Sequence, residues 1–158
     1  MSSKKEGCVR VELAERYLSI TTMSVCGLHY LEPSAPEILL NVDAENQEIG
    51  SNIRLGMSRS KVDAREEFDE IWELNIVQKI AKERDEEIRR IYKYRPVLRK
   101  MKYLSVYINN KQIRIVPTEN QGKGYTRGLS LDENIYLPLT ATDEEIGAAI
   151  REGFNRCI

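Results

Sequence analysis

Histidine, thiol, paired carboxylates and metal clusters are the usual carriers of chemistry, and this chain is sparing with all of them. Its one histidine, His29, lies three residues after Cys26. That spacing suits a metal pair, but no second cluster completes a tetrahedral site. The surroundings instead predict a partly buried, hydrogen-bonded histidine. A nucleophilic Cys26–His29 pair lacks both electropositive neighbours and a supporting motif. Glu48 and Glu145, each beside other acids, come nearest to a general acid/base pair. Their place in the first turn of a helix already explains them through capping and the helix dipole. Gly122-Lys123-Gly124 follows a strand without opening a helix, so it reads as a flexible turn and not as a phosphate loop. No residue is assigned a catalytic role, and neither a metal nor a cofactor is expected.

Charge is more informative in its distribution than in its total of −1. Glu32 to Ile53 holds five acids and no base, and Gly128 to Ile150 repeats that balance. Between them, Ile88 to Thr118 holds nine bases and no acid. Blocks of this kind set up opposed surface potentials. The basic stretch also carries Tyr92, Tyr94, Tyr103 and Tyr107, a pattern able to grip and stack a single-stranded nucleic acid. Tyr103 and Tyr107 sit at strand spacing, however, and a pI near 6.0 is low for a nucleic-acid module.

The elements that position these groups are announced by an internal repeat. Ile38–Lys61 aligns without a gap on Ile135–Ile158, with ten identities, where average residue usage gives about one or two. Both copies read strand, turn, helix. Ile38, Leu40 and Val42 share one strand face, as do Ile135, Leu137 and Leu139. Pro138 places the second strand at an edge or ends it. Thr142-x-x-Glu145 is a capping box, of which the first copy, with Glu45, keeps half. Each helix carries two glycines on or beside its apolar stripe, Gly50 and Gly56, then Gly147 and Gly153. Each costs about 1 kcal/mol relative to alanine, so they are read as sites where the helix approaches the sheet.

Between the copies, Asp63 to Tyr94 has helical periodicity through Phe68, Trp72, Ile76 and Ile80, with acids crowding its start and bases its end. Asn75 is a candidate break, so one helix or two fit the pattern. Tyr103–Asn109 and Gln112–Thr118 form a hairpin across Asn109-Asn110-Lys111. Val9–Leu13 and Tyr17–Thr22 are further strands. Gly122, Gly124 and Gly128 frame a loop around Tyr125. The expectation is one α+β domain over residues 1–158, an antiparallel or mixed sheet covered by a long central helix and the two repeat helices.

At 158 residues, 41% hydrophobic and 31% charged, the chain has the composition of a globular domain. No apolar run reaches the roughly 18 residues that span a bilayer, and the N-terminus lacks a signal-peptide core. The protein is therefore expected to stay in the cytoplasm. Three scattered cysteines suit reduced thiols.

The order of these fragments resembles the CdiI-type immunity proteins of bacterial contact-dependent growth inhibition. The likeness runs from Ile38-Leu39-Leu40 through Glu48-Ile49-Gly50 to Ser58-Arg59-Ser60, then to Trp72. It continues through Ile113-Arg114-Ile115-Val116-Pro117, the Gly122-x-Gly124-Tyr125-x-x-Gly128 loop and Glu145-Ile146-Gly147. The resemblance implies a bacterial cytoplasmic protein that is not an enzyme and that binds the C-terminal toxin domain of the adhesin encoded beside it. Many such toxins are nucleases, and some relatives oppose ribonucleases of the RNase A type. A nuclease must hold phosphates, so its active site is basic. An acidic surface can steer association and occlude that site. The toxin-binding candidates are thus Asp43, Glu45, Asp132, Glu133, Asp143 and Glu144. An acidic toxin would instead select the basic block. The alternative is a nucleic-acid-binding regulator using residues 89–114. No membrane partner or cofactor is implied.

Overall fold

Alternating apolar residues lay down the centre of the molecule, described here from a computed structural model over residues 6–62, 65–93, 96–122 and 125–158. Strand β1 (Gly7–Leu13) pairs with β2 (Tyr17–Cys26), and β3 (Leu28–Leu31) folds back onto the far end of β2. The turn falls at Gly27, whose φ of 75° favours glycine. β4 (Ile38–Asn41) pairs with the near end of β2 and leads into α1 (Asn46–Ser58). The second half repeats this order with β5 (Lys102–Ile108), β6 (Gln112–Gly122), β7 (Tyr125–Gly128), β8 (Ile135–Pro138) and α4 (Asp143–Arg156). Again the long strand, β6, takes one short partner at each end. β1 and β5 join the halves, giving the order β3-β2-β1-β5-β6-β7 with β4 on β2 and β8 on β6. Every pairing between these strands is antiparallel. The duplication thus extends from the matched segments to each half of the sheet. Only α2 (Arg65–Glu73) and α3 (Ile76–Tyr92) stand outside it.

One face of the sheet meets α1 and α4. Val9, Val11, Leu18, Ile20, Leu104, Val106, Ile113 and Ile115 are buried there against Ile49, Ile53, Met57, Ile146, Ile150 and Phe154. Each fully buried aliphatic side chain contributes about 1.5–3 kcal/mol relative to exposure. The glycines serve two kinds of approach. Gly56 lies over β1 and β2, where a Cβ would stand 3.0 Å from Val9 Cγ1, and the Thr22 hydroxyl donates to its carbonyl at 2.8 Å. Gly153 lies over Leu104 and Ile115 at 3.1 Å. These two bring helix to sheet, as expected. Gly50 and Gly147 do something else: a Cβ on Gly50 would fall on the Asp143 carbonyl, and one on Gly147 on the Asn46 carbonyl. They let the first turns of α1 and α4 seat against each other.

The opposite face is covered less completely. Ile88 and Tyr92 of α3 pack with Ala14, Tyr17, Met101 and Tyr103, whereas α2 buries none of its residues. Asn75, at φ 53°, breaks the central segment into two helices.

The capping box at Thr142 forms, with Glu145 N donating to the hydroxyl at 3.2 Å and Thr142 N to the carboxylate at 3.3 Å. Glu45 begins α1 without a side-chain cap bond, and no bond from its amide to the Glu48 carboxylate forms either, which corrects the half-box expected there. β8 is an edge strand ending at Pro138. The hairpin turns at Asn109, whose side-chain oxygen accepts from Lys111 N and Gln112 N at 2.8 and 2.9 Å. Two further expectations need correction. β2 runs past Thr22 to Cys26 and gains the unforeseen partner β3, and the loop assigned around Tyr125 is strand β7 on the end of β6. Pairing on β6 supplies the order that so few residues would lack alone. Of the Gly122-Lys123-Gly124 turn, Gly122 has φ 81°; residues 123 and 124 lie outside the described part, as do Tyr94 and Arg95.

Candidate functional site

The six acidic residues singled out from the sequence fall into two places. Asp43 and Glu45 precede α1, and Asp143 and Glu144 open α4. Glycine packing joins the two helix starts, with Asn46 Nδ2 donating to Glu144 Oε1 at 3.4 Å. A reciprocal arginine pair locks the joint. Arg54 donates from Nε to Asp143 Oδ1 at 2.9 Å and from Nη2 to the Ala141 carbonyl. Arg151 donates to the matching Ala44 carbonyl at 2.8 Å. Asp43, Glu45 and Glu144 are exposed, whereas Asp143 is engaged with Arg54. Asp132 and Glu133 are exposed elsewhere, beside the C-terminal end of α4, where Arg156 Nη1 donates to the Glu133 carbonyl at 2.9 Å. A 14-residue helix separates its two ends by about 21 Å, so the six do not form one surface.

The basic segment is also divided. Arg89 and Arg90 end α3, and Arg99 and Lys100 lie in a short 3-10 turn before β5. Its tyrosines pack within the protein. Tyr92 stacks on Tyr17 at 5.3 Å, Tyr103 is buried beneath the Arg10 guanidinium at 4.7 Å, and Arg114 covers Tyr107 at 4.5 Å. None of these three rings is a free platform for a base.

His29 is exposed on β3, edge-on to Tyr107 at 5.8 Å, which corrects the expected partly buried histidine: the Gly27 turn puts it on a sheet edge. No cluster of three or more metal-ligating side chains occurs among the described residues. All three cysteines are free, as expected for reduced thiols, and burial pushes the Cys8 thiol up to about 12, which keeps it protonated and inert at neutral pH.

A third region went unrecognised in the sequence. Between the second sheet face and α2–α3 lies a half-open cleft of about 370 Å³. Met23, Leu31, Ile71 and Val77 line it, with Trp72 at α2 and Arg10, Glu12, Tyr30 and Arg84 supplying polar groups. Arg84 ties α3 to the sheet, 3.9 Å from Glu12 and 3.7 Å from Glu37. Burial pushes the Glu37 carboxyl up to about 7, against the pull of Arg84 and a hydrogen bond from the Thr21 hydroxyl at 2.8 Å. α2 is held more lightly, by Phe68 against Tyr30 at 5.1 Å and by Lys61 with Glu67 at 2.8 Å. Its exposed surface carries Glu66, Glu67, Asp69, Glu70 and Glu73. The sequence signal was present, five acids around one tryptophan, but it also satisfied the helix dipole.

Comparison with known proteins agrees with the architecture. No curated protein sequence matches the chain. The fold is shared with a protein of unknown function from Neisseria meningitidis, 18% identical with a TM-score of 0.86, the match covering 100% of this chain and 99% of that one. It is shared equally with a chain of the CdiA-CT/CdiI toxin and immunity complex from Yersinia pseudotuberculosis, 18% identical with a TM-score of 0.84 and covering 98% of each. Among the described residues, no helix is long and apolar enough to cross a membrane. A family model, CDI immunity protein (CdiI), matches residues 8–157. Both copies of the repeat, save the final Ile158, and the helices between them lie inside that match, and the chain belongs to the CdiI family of CDI immunity proteins.

Proposed function

We propose that this chain protects a bacterial cell by binding, in the cytoplasm, the C-terminal toxin domain of a cognate contact-dependent growth inhibition adhesin and covering its active site. The observation that carries this reading is the family match over residues 8–157. The toxin is read as a nuclease, a class that includes the RNase A type of ribonuclease opposed by some proteins of the resembling family. The chain then works as a stoichiometric inhibitor without chemistry of its own. Its net charge of −1 means that complementarity to a basic cleft must be local. Asp43, Glu45 and Glu144 at one pole, and Asp132 and Glu133 at the other, are exposed and add to the field that steers association. Asp143 shares its charge with Arg54. Packing of Tyr92, Tyr103 and Tyr107 weighs against the nucleic-acid reading.

Co-expression with the C-terminal domain of the adhesin encoded beside this chain tests the proposal. Growth is expected to be restored by this chain alone. Continued growth arrest, with the chain folded and abundant, removes the immunity reading.

A further inference from the structure

An exposed tryptophan on a helix with nothing buried calls for an explanation. Trp72 is 66% exposed, and Leu28 and Leu74 near it are about half exposed. Large apolar groups gathered at a surface mark contact sites, and tryptophan is the residue most enriched where binding energy concentrates. Glu66, Glu70 and Glu73 follow at i, i+4 and i+7, which puts three carboxylates in one row along α2. None of the three makes an ion pair among the described residues. α2 is nine residues long, short enough to be marginal on its own, and its few anchors leave it presented rather than enclosed.

The cleft beneath α2 supplies a second, independent observation. Tyr30 lines it, is 6% exposed, and its hydroxyl has no hydrogen-bond partner among the described residues. Buried polar groups in folded proteins are nearly always paired. One unpaired hydroxyl beside an open cleft with apolar walls fits a surface that rearranges to meet an incoming chain.

We propose that α2 and the cleft beneath it form the surface that meets the toxin domain, an inference that rests on the immunity reading above. The occupant is a basic nucleic-acid-binding groove. The Glu66/Glu70/Glu73 row takes the place of a row of phosphates against its lysines and arginines. Trp72 is the apolar anchor at the cleft mouth, and the Tyr30 hydroxyl, buried in the free chain, turns to donate to a carbonyl or carboxylate oxygen of the partner. The poles at Glu45/Glu144 and Asp132/Glu133 act only at range, where salt screens them within about 8 Å.

The test is binding kinetics against a catalytically inactive form of the C-terminal domain of the neighbouring adhesin, at two salt concentrations. Trp72→Ala is expected to weaken binding at least tenfold, mostly through faster dissociation. The combined Glu66→Lys, Glu70→Lys, Glu73→Lys variant is expected to associate at least tenfold more slowly, with a flattened salt dependence. Glu45→Lys with Glu144→Lys is expected to stay within threefold of the parent. Because α2 buries none of its residues, these variants should fold, and matching circular dichroism and thermal midpoints would confirm it. Folded α2 variants that bind as the parent does overturn this surface and leave the immunity reading standing. A parent chain that does not bind the domain overturns both.

Discussion

The two faces of the sheet carry helices held in opposite ways. α1 and α4 bury their apolar stripes completely, interlock through Gly50 and Gly147, and exchange arginine hydrogen bonds across a pseudo-two-fold. Their charged residues serve the joint itself: Asp143 holds Arg54, and Glu145 closes the capping box. On the other face, α3 is pinned by Arg84 and Ile88, while α2 reaches outward with Trp72 and its acids unburied. The first face spends its residues on being one rigid body. The second leaves the Tyr30 hydroxyl unpaired beside an open cleft and Trp72 exposed at its mouth, which is the condition of an interface before its partner arrives. Similar acidic residues thus carry different meanings, and burial with geometry, not composition, separates them.

The largest effect that would sharpen this contrast is steric. Gly147→Ala places a methyl group on the Asn46 carbonyl and is expected to cost about 3 kcal/mol or more, the upper end of overpacking effects. Urea unfolding measures it, and an unperturbed midpoint would contradict the interlocked joint. Trp72→Ala, at an exposed position, is expected to change stability by no more than about 0.5 kcal/mol, despite removing a far larger side chain. A loss comparable to that of Gly147→Ala would show that α2 is core after all.

Smaller effects come from single polar groups. Thr142→Ala removes the α4 cap and is expected to cost about 1 kcal/mol, whereas Glu45→Ala, without a cap bond, should cost markedly less. The pH prediction concerns the α3 attachment. Folding raises the Glu37 carboxyl from its ordinary 4.5 to about 7 because burial disfavours its charge. The folded state therefore holds this proton more tightly than the unfolded chain does. The stabilisation is full below about 4.5 and is lost as pH rises through about 7. Unfolding midpoints at pH 4.5 and pH 7.5 should fall by less in Glu37→Gln than in the parent. An identical pH dependence would show that Glu37 keeps an ordinary carboxylate affinity.

The scaffold was readable from the sequence because its signals are local and repeated. The capping box, the Asn109 turn and the alternation in Leu104, Val106, Ile113 and Ile115 each name their own structure. β3 and β7 were missed for the converse reason. Four residues such as Leu28-His29-Tyr30-Leu31 carry little pattern, and their order comes from pairing with the ends of β2 and β6. The helix pair was half legible: four glycines signalled close approach, but the partner of Gly50 and Gly147 is a helix start almost a hundred residues away. The candidate surface was read least well. Clustering in sequence grouped Asp132 with Asp143, which α4 holds at opposite ends. The Phe68, Trp72, Ile76, Ile80 stripe reads as core because periodicity reports which side of a helix is apolar, not how deeply that side is buried.

Hydrogen–deuterium exchange of the chain with and without the C-terminal toxin domain tests the contrast between the two faces most directly. The account predicts new protection at residues 28–31 and 65–74, with little change at 43–48 and 142–147, which lie outside the proposed surface. Protection appearing at 43–48 and 142–147, with α2 exchanging as fast as in the free chain, would contradict it and return the interface to the helix poles.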